Sequence, residues 1–254
     1  MSTTTASTIA NNERFNAEAA KWDSNIAHVR CCEMALESVL HHVPAFAHGQ
    51  AKNFDVLEIG CGTGLLSFDL SPRVRSLVGV DTAQGMIDAF NVKIGALLQP
   101  EEANLAAVCV MLEDADDVKV QGAAAALASR RGEPENIPYR FDLIVSHLTL
   151  HHIPSLPAIL ATMFQSLKHG GWIALTDFED FGPDAVKFHP KSKREGVERH
   201  GIKRNEMEMT INGTGFDRVK VETAFTFTKA VEGEDGGLKK EMEFPFLICM
   251  GQKA

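Results

Sequence analysis

LEIGCGTGLL, residues Leu57 to Leu66, sets glycines at three alternate positions, Gly60, Gly62 and Gly64, behind an apolar run that holds a single acid, Glu58. The apolar residues before the glycines read as a strand, and Leu65 to Leu70 after them as a helical start. Glycines crowded into such a turn let something approach the backbone closely. Alone, the pattern fits a tight turn without a ligand as well as it fits a dinucleotide, a phosphate or another nucleoside cofactor.

Outward from this stretch, strands and helices alternate. Phe54 to Ile59 is followed by apolar runs at Leu77 to Val80, Leu105 to Met111, Phe141 to Val145 and Trp172 to Thr176. Helical spacing marks His28 to Val43, which Pro44 stops, then Met86 to Leu98, and Leu156 to Lys168, which Gly170-Gly171 is expected to close. Alternation of this kind predicts an α/β fold with a doubly wound parallel sheet. Beyond Phe178 the pattern becomes loop, helix and two strands, Asp217 to Thr228 and Phe244 to Gly251. Joined by a turn-rich link, they suit an antiparallel edge and bring the sheet to seven strands, mostly parallel. Val118 to Tyr139, with its Ala-rich core and GEPEN tail, reads as an insertion, and MSTTTASTIANNER as a disordered tail. One domain over 1–254 is expected: tail and helical cap to 45, a cofactor-binding core over 50–180, and acceptor-side segment with terminal strands over 181–254.

Composition narrows the function. A chain of 254 residues with 44% apolar and 23% charged residues can bury a sizeable core. Its net charge of −9 argues against a nucleic-acid partner, and the one dense basic run, Lys191 to Arg194, reads as a solvated loop. Cys31, Cys32, Cys61, Cys109 and Cys249 make no metal-ligand spacing, so no metal is expected, and the odd count suits reduced thiols in a cytoplasmic protein. No stretch has the length of a membrane span.

Two neighbours of the glycine stretch favour a nucleoside. Asp81 ends the next strand, 17 residues past Gly64, where a carboxylate can accept both ribose hydroxyls. Glu113, Asp114, Asp116 and Asp117 then close the third strand at the same sheet edge. The loop lacks Gly-Lys-Ser/Thr, and Leu65 stands where a dinucleotide fingerprint wants glycine. Glu58 would also oppose a pyrophosphate, whereas it suits a cofactor with an ammonium group, such as S-adenosylmethionine.

The ordered set of motifs resembles class I S-adenosylmethionine-dependent methyltransferases of the small-molecule, ubiquinone-biosynthesis-like kind. Leu57 to Gly64 matches the first family motif and VGVD (Val78 to Asp81) the second. EDADDV (Glu113 to Val118), FDLIVSHLTLHHI (Phe141 to Ile153) and LKHGGWIALTDFE (Leu167 to Glu179) resemble the later ones, and FNAEAAKWD (Phe15 to Asp23) the amino-terminal cap. The resemblance implies a Rossmann-like methyltransferase fold with S-adenosyl-L-methionine as cofactor. It implies that Glu58, Gly60, Cys61, Gly62 and Gly64 line the methionine part and that Asp81 holds the ribose. Thr82 and Met86 would flank ribose and adenine, Glu113 or Asp114 with Ala115 would meet the adenine edge, and Ser146 and His147 would close the methionyl side.

A sulfonium methyl is already activated, so the protein must align the acceptor and, for a hydroxyl, thiol or ammonium, take up its proton. His151 and His152 after the fourth strand, with Asp177 closing the fifth, are candidates, although the histidine pair also fits a helix-entry loop beside Pro154. Phe15 and Trp22 are candidates for an aromatic lid, and His189 for the acceptor pocket. The expected partner is a small-molecule methyl acceptor bound by a monomer or homodimer. A protein-directed methyltransferase and a cofactor-binding regulator without turnover are the alternatives, with a dehydrogenase a distant third.

Overall fold

β1 (Asp55–Ile59) shows why the sheet is covered on both sides: its last four residues are buried, and they divide between two cores. Val56 faces one core, whereas Leu57 and Ile59 face the other. This is the period-2 alternation of a strand sandwiched between helix layers.

The computed structural model describes residues 6–134, 138–233 and 240–254. In chain order they form α1 (Ala6–Glu18), α2 (Ile26–His42), α3 (Pro44–Ala47), β1, α4 (Leu65–Leu70), β2 (Ser76–Asp81), α5 (Gln84–Gly95), β3 (Leu105–Cys109) and α6 (Val118–Arg130). Then come β4 (Phe141–His147), α7 (Leu156–Ser166), β5 (Leu167–Phe178), α8 (Arg204–Thr214), β6 (Asp217–Val231) and β7 (Lys240–Gln252). The sheet order is β3-β2-β1-β4-β5-β7-β6. β1 to β5 are mutually parallel, and β7 runs antiparallel between β5 and β6. α2, α4 and α5 pack on one face, through residues such as Leu36, Leu70 and Phe90. α6, α7 and α8 cover the other, through Leu127, Leu160 and Ile211. The order reverses between β1 and β4, so their carboxyl ends open a crevice at the switch point.

The seven strands and the antiparallel edge agree with the sequence reading, and three local expectations are corrected. Residues 118–139 begin not as an insertion but as α6, the ordinary crossover helix between β3 and β4. Asp117 caps it by accepting from the amides of Lys119 and Val120. Of the GEPEN tail, 135–136 lie outside the described residues, as does most of the link between β6 and β7. Gly170-Gly171 does not stop a helix: α7 ends at Ser166, and the glycine pair lies inside β5 at a shift of register against β4. There it exchanges backbone hydrogen bonds with Lys253. Part of the polar amino-terminal tail is helical, because α1 begins at Ala6. Polar side chains dock it. Asn11 Nδ2 donates to the Gly196 carbonyl at 2.6 Å, Asn12 Oδ1 accepts from Thr82 at 2.7 Å, and Asn16 Oδ1 accepts from the Gly85 amide at 2.7 Å.

Candidate active site

The glycine loop is shaped from below. The backbone amides of Gly60 and Cys61 both donate to the Val80 carbonyl, at 2.8 and 3.0 Å, which ties the loop to the end of β2. Gly60 has φ +74°, and a Cβ there would stand 2.0 Å from Thr149 Oγ1, so only glycine fits. Gly62, at φ +52°, would meet nothing within 4 Å, because its open side faces space rather than protein. Asp81 fixes that residue: Oδ2 accepts from the Gly62 amide at 2.9 Å and Oδ1 from the Ala83 amide at 2.8 Å. Burial raises the Asp81 carboxyl above its usual range, while those amides pull it back down.

Glu58 is 2% exposed, and Ser67 Oγ donates to its carboxyl from α4 below the loop. Burial pushes that carboxyl up to about 8, with Ser67 opposing. Cys61 is buried, and its thiol lies well above the ordinary range for the same reason. Its small side chain fits against β2, where a Cβ on Gly79 would come within 2.8 Å of it.

Above the loop lies a cavity of about 840 Å³, within the size range of small-molecule sites. Glu58, Gly60, Cys61, Gly62, Asp81, Thr82, Met86 and Glu113 line one end. His147, His151, His152 and His189 line the other, and Phe15 and Trp22, which cluster with Met86, line the same cavity. Gly64, Asp114, Ala115, Ser146 and Asp177 lie outside the lining. The environment of each accounts for this. Gly64 is backed by the Phe90 ring, Asp114 Oδ1 accepts from the Asp116 amide in a turn, and the Ala115 carbonyl accepts from Gln121. Ser146 Oγ donates to the Ile59 carbonyl across the β1–β4 ladder. Within the acidic cluster Asp117 caps α6 and Asp116 pairs with Arg140, which leaves Glu113 at the cavity.

Asp177 acts from behind. It is fully buried at the end of β5, and its carboxylate accepts from His151 Nδ1 at 2.9 Å, the His151 amide at 3.1 Å and the Phe178 amide at 2.9 Å. Arg199 braces the same turn, donating to the carbonyls of Leu150 and Pro154. With Nδ1 held, His151 turns Nε2 away from the carboxylate, and that buried nitrogen has no hydrogen-bond partner. His152 packs edge-on to Phe15 at 5.4 Å, and Phe15 packs edge-on to Trp22 at 5.8 Å. Burial, and then the neighbouring ring of His151, hold the His152 and His189 imidazoles neutral, far below their usual pKa. Burial likewise lowers His147 to about 4.

Several lining residues carry no motif. Arg14, Asn12, Phe188 and Lys229 reach the cavity only through tertiary contacts. Among the described residues no helix is long and apolar enough to cross a membrane.

The family model for the methyltransferase domain matches residues 28–232. The chain belongs to the methyltransferase domain family. Its sheet, with parallel strands and an antiparallel edge, is the Rossmann-like methyltransferase fold. An uncharacterized methyltransferase of Schizosaccharomyces pombe is 28% identical over 152 residues, 59% of this chain and 48% of that protein. The ubiquinone biosynthesis O-methyltransferase of Paraburkholderia phytofirmans is 26% identical over 164 residues, covering 63% of this chain and 59% of its own length. The chain thus spans about half to three-fifths of these relatives. Among solved structures, magnesium protoporphyrin IX methyltransferase from Synechocystis PCC 6803 with bound SAH superposes with a TM-score of 0.62, covering 97% of this chain and 99% of that one at 14% identity.

Proposed function

We propose that this chain transfers a methyl group from S-adenosyl-L-methionine to an oxygen, nitrogen or sulfur atom of a small molecule. The observation that carries the reading is one cavity running from the glycine loop to the Asp177-anchored histidines. The cofactor supplies an activated methyl on a sulfonium. For the rest, the chain's own residues bind, orient and exclude water. The open side of Gly62 leaves room for a ligand against the loop, and the Asp81 carboxylate stands beside it for ribose hydroxyls. Glu58 lies where an ammonium would draw it into its ionised form. Glu113, with Met86 and Thr82, bounds the adenine end.

At the other end the acceptor atom gives its proton to His151, which Asp177 holds in one orientation, with His152 packed beside it. Phe15 and Trp22 line the cavity from α1 and the turn after it, and His189 lines it from the segment after β5. A cavity of about 840 Å³ favours a small acceptor over a peptide, and the net charge of −9 favours it over a nucleic acid. Methyl transfer from labelled cofactor into a small-molecule extract and into a protein extract separates the readings. Label confined to protein overturns the small-molecule acceptor. Calorimetric binding of NAD, with no response to S-adenosylmethionine or its demethylated product, overturns the methyltransferase itself.

A further inference from the structure

We infer that His151, His152 and His189 bind a divalent transition-metal ion, zinc above all, at the acceptor end of the cavity. The inference rests on the methyltransferase reading for its purpose, and on three rings for its substance. One ring nitrogen from each lies within 4.8 Å of the other two. The His151 ring centroid is 4.1 Å from that of His152 and 5.1 Å from that of His189. No local motif creates this group. His151 and His152 leave the turn after β4, whereas His189 follows a separate turn, Pro183–Phe188, beyond β5.

Their unmet hydrogen-bonding capacity is what a cation answers. His151 Nε2, His152 Nδ1 and His189 Nδ1 are buried without a hydrogen-bond partner. Buried polar atoms are seldom left so. His28, His147 and His200 also carry an unpartnered nitrogen, but among the described residues only the trio gathers into a ligand set. Asp177 supplies the remaining part of a metal-binding arrangement. A carboxylate accepting from Nδ1–H of a histidine turns the lone pair of Nε2 outward.

Three imidazoles and one position open to the cavity match a tetrahedral site that keeps a place for an exchangeable ligand. An all-nitrogen donor set selects zinc and its transition-metal neighbours over magnesium and calcium. Bonds of ~2.0–2.1 Å bring ligand nitrogens to roughly 3.4 Å from one another, so closure asks for small rotations of the half-buried His152 and His189 rings. Coordination of a hydroxyl or thiol lowers its pKa and its proton passes to solvent, so with the metal in place the imidazoles serve as ligands and not as the proton acceptor. The resulting lone pair attacks the methyl carbon, and the carbon–sulfur bond breaks with its electrons going to sulfur. Arg14 and Lys229 line the same cavity and favour an acceptor that reaches the site as an anion.

The test uses the full chain without a histidine tag, equilibrated with zinc alone and freed of excess. Elemental analysis is expected to find about one zinc per chain, falling at least fivefold in His189→Ala and in His152→Ala. Cobalt substituted for zinc should give the visible absorption of a tetrahedral nitrogen site, lost in the same variants. Binding of the demethylated cofactor serves as the control for folding. Zinc below a tenth per chain in a wild-type protein that binds this cofactor overturns the metal site and leaves the methyltransferase standing. Zinc retained unchanged in both variants overturns it equally. Failure of the cofactor to bind a zinc-loaded chain counts instead against the methyltransferase reading.

Discussion

The two ends of the cavity are built on different plans. At the cofactor end two carboxylates have their counterparts nearby: Asp81 takes two loop amides, and Glu58 takes the Ser67 hydroxyl. These residues sit on consecutive strand ends and the loop between them. At the acceptor end Asp177 is saturated, whereas His151, which it holds, and its neighbours His152 and His189 each keep a bare nitrogen. Their walls come from α1, the turn after β4, the segment after β5, and β6. A fully satisfied half is rigid before a ligand arrives; a half with unmet polar atoms stores its interactions for the ligand.

The largest effect should come from the cofactor end. Glu58→Gln removes a carboxyl whose rise from 4.5 to about 8 corresponds to about 5 kcal/mol. A carboxyl raised on folding contributes stability that is complete below pH 4.5 and lost as pH climbs through 8. Denaturant unfolding from pH 5 to 9 should therefore show wild type losing stability that Glu58→Gln keeps. Parallel curves for the two proteins would place the carboxylate in a far wetter site. The same replacement should weaken S-adenosylmethionine binding.

At the acceptor end, His151→Gln should lower methyl transfer by ~10²–10⁴ while calorimetry finds cofactor affinity nearly unchanged. Equal losses in both would erase the contrast between the halves. Asp81→Ala should produce the opposite pattern, weakening cofactor binding by ~1–3 kcal/mol with the fold intact. Undiminished binding would remove Asp81 as the ribose partner. The smallest change is expected from Asn12→Ala, which deletes one docking hydrogen bond of α1 to Thr82. It should cost ~1 kcal/mol and speed hydrogen exchange across residues 6–23, an effect that the demethylated cofactor reduces. Unaltered exchange would mean that α1 is held by its other contacts.

The cofactor half was legible in the sequence because its parts are local and periodic. Strands read as apolar runs, and glycines and acids mark their ends. Glu58, Gly60, Gly62, Asp81 and Glu113 all reach the cavity. The misreadings share a cause. α1 reads as a tail because it docks through asparagine side chains, and hydropathy does not register hydrogen bonds made to distant loops. α6 reads as an insertion because its alanines carry little of the apolar contrast on which periodicity depends. Gly170-Gly171 looked like a helix stop because a glycine pair has the same appearance in a strand irregularity.

What the sequence alone determined is the order of the strands along the chain, the family, and which glycines and carboxylates stand at the strand ends. Each of these rests on short motifs whose own residues lie within a few positions of one another, where backbone geometry fixes which side chains share a face. Only the tertiary structure brought His189 to His151 and His152, placed Asp177 behind His151, and carried Arg14 and Lys229 to the cavity wall. Arg14 and Lys229 are 215 residues apart, and nothing in local propensity links them. Their meeting follows from the strand order, since β4 and β5 end side by side and β6 returns at the edge, with α1 laid over the opening.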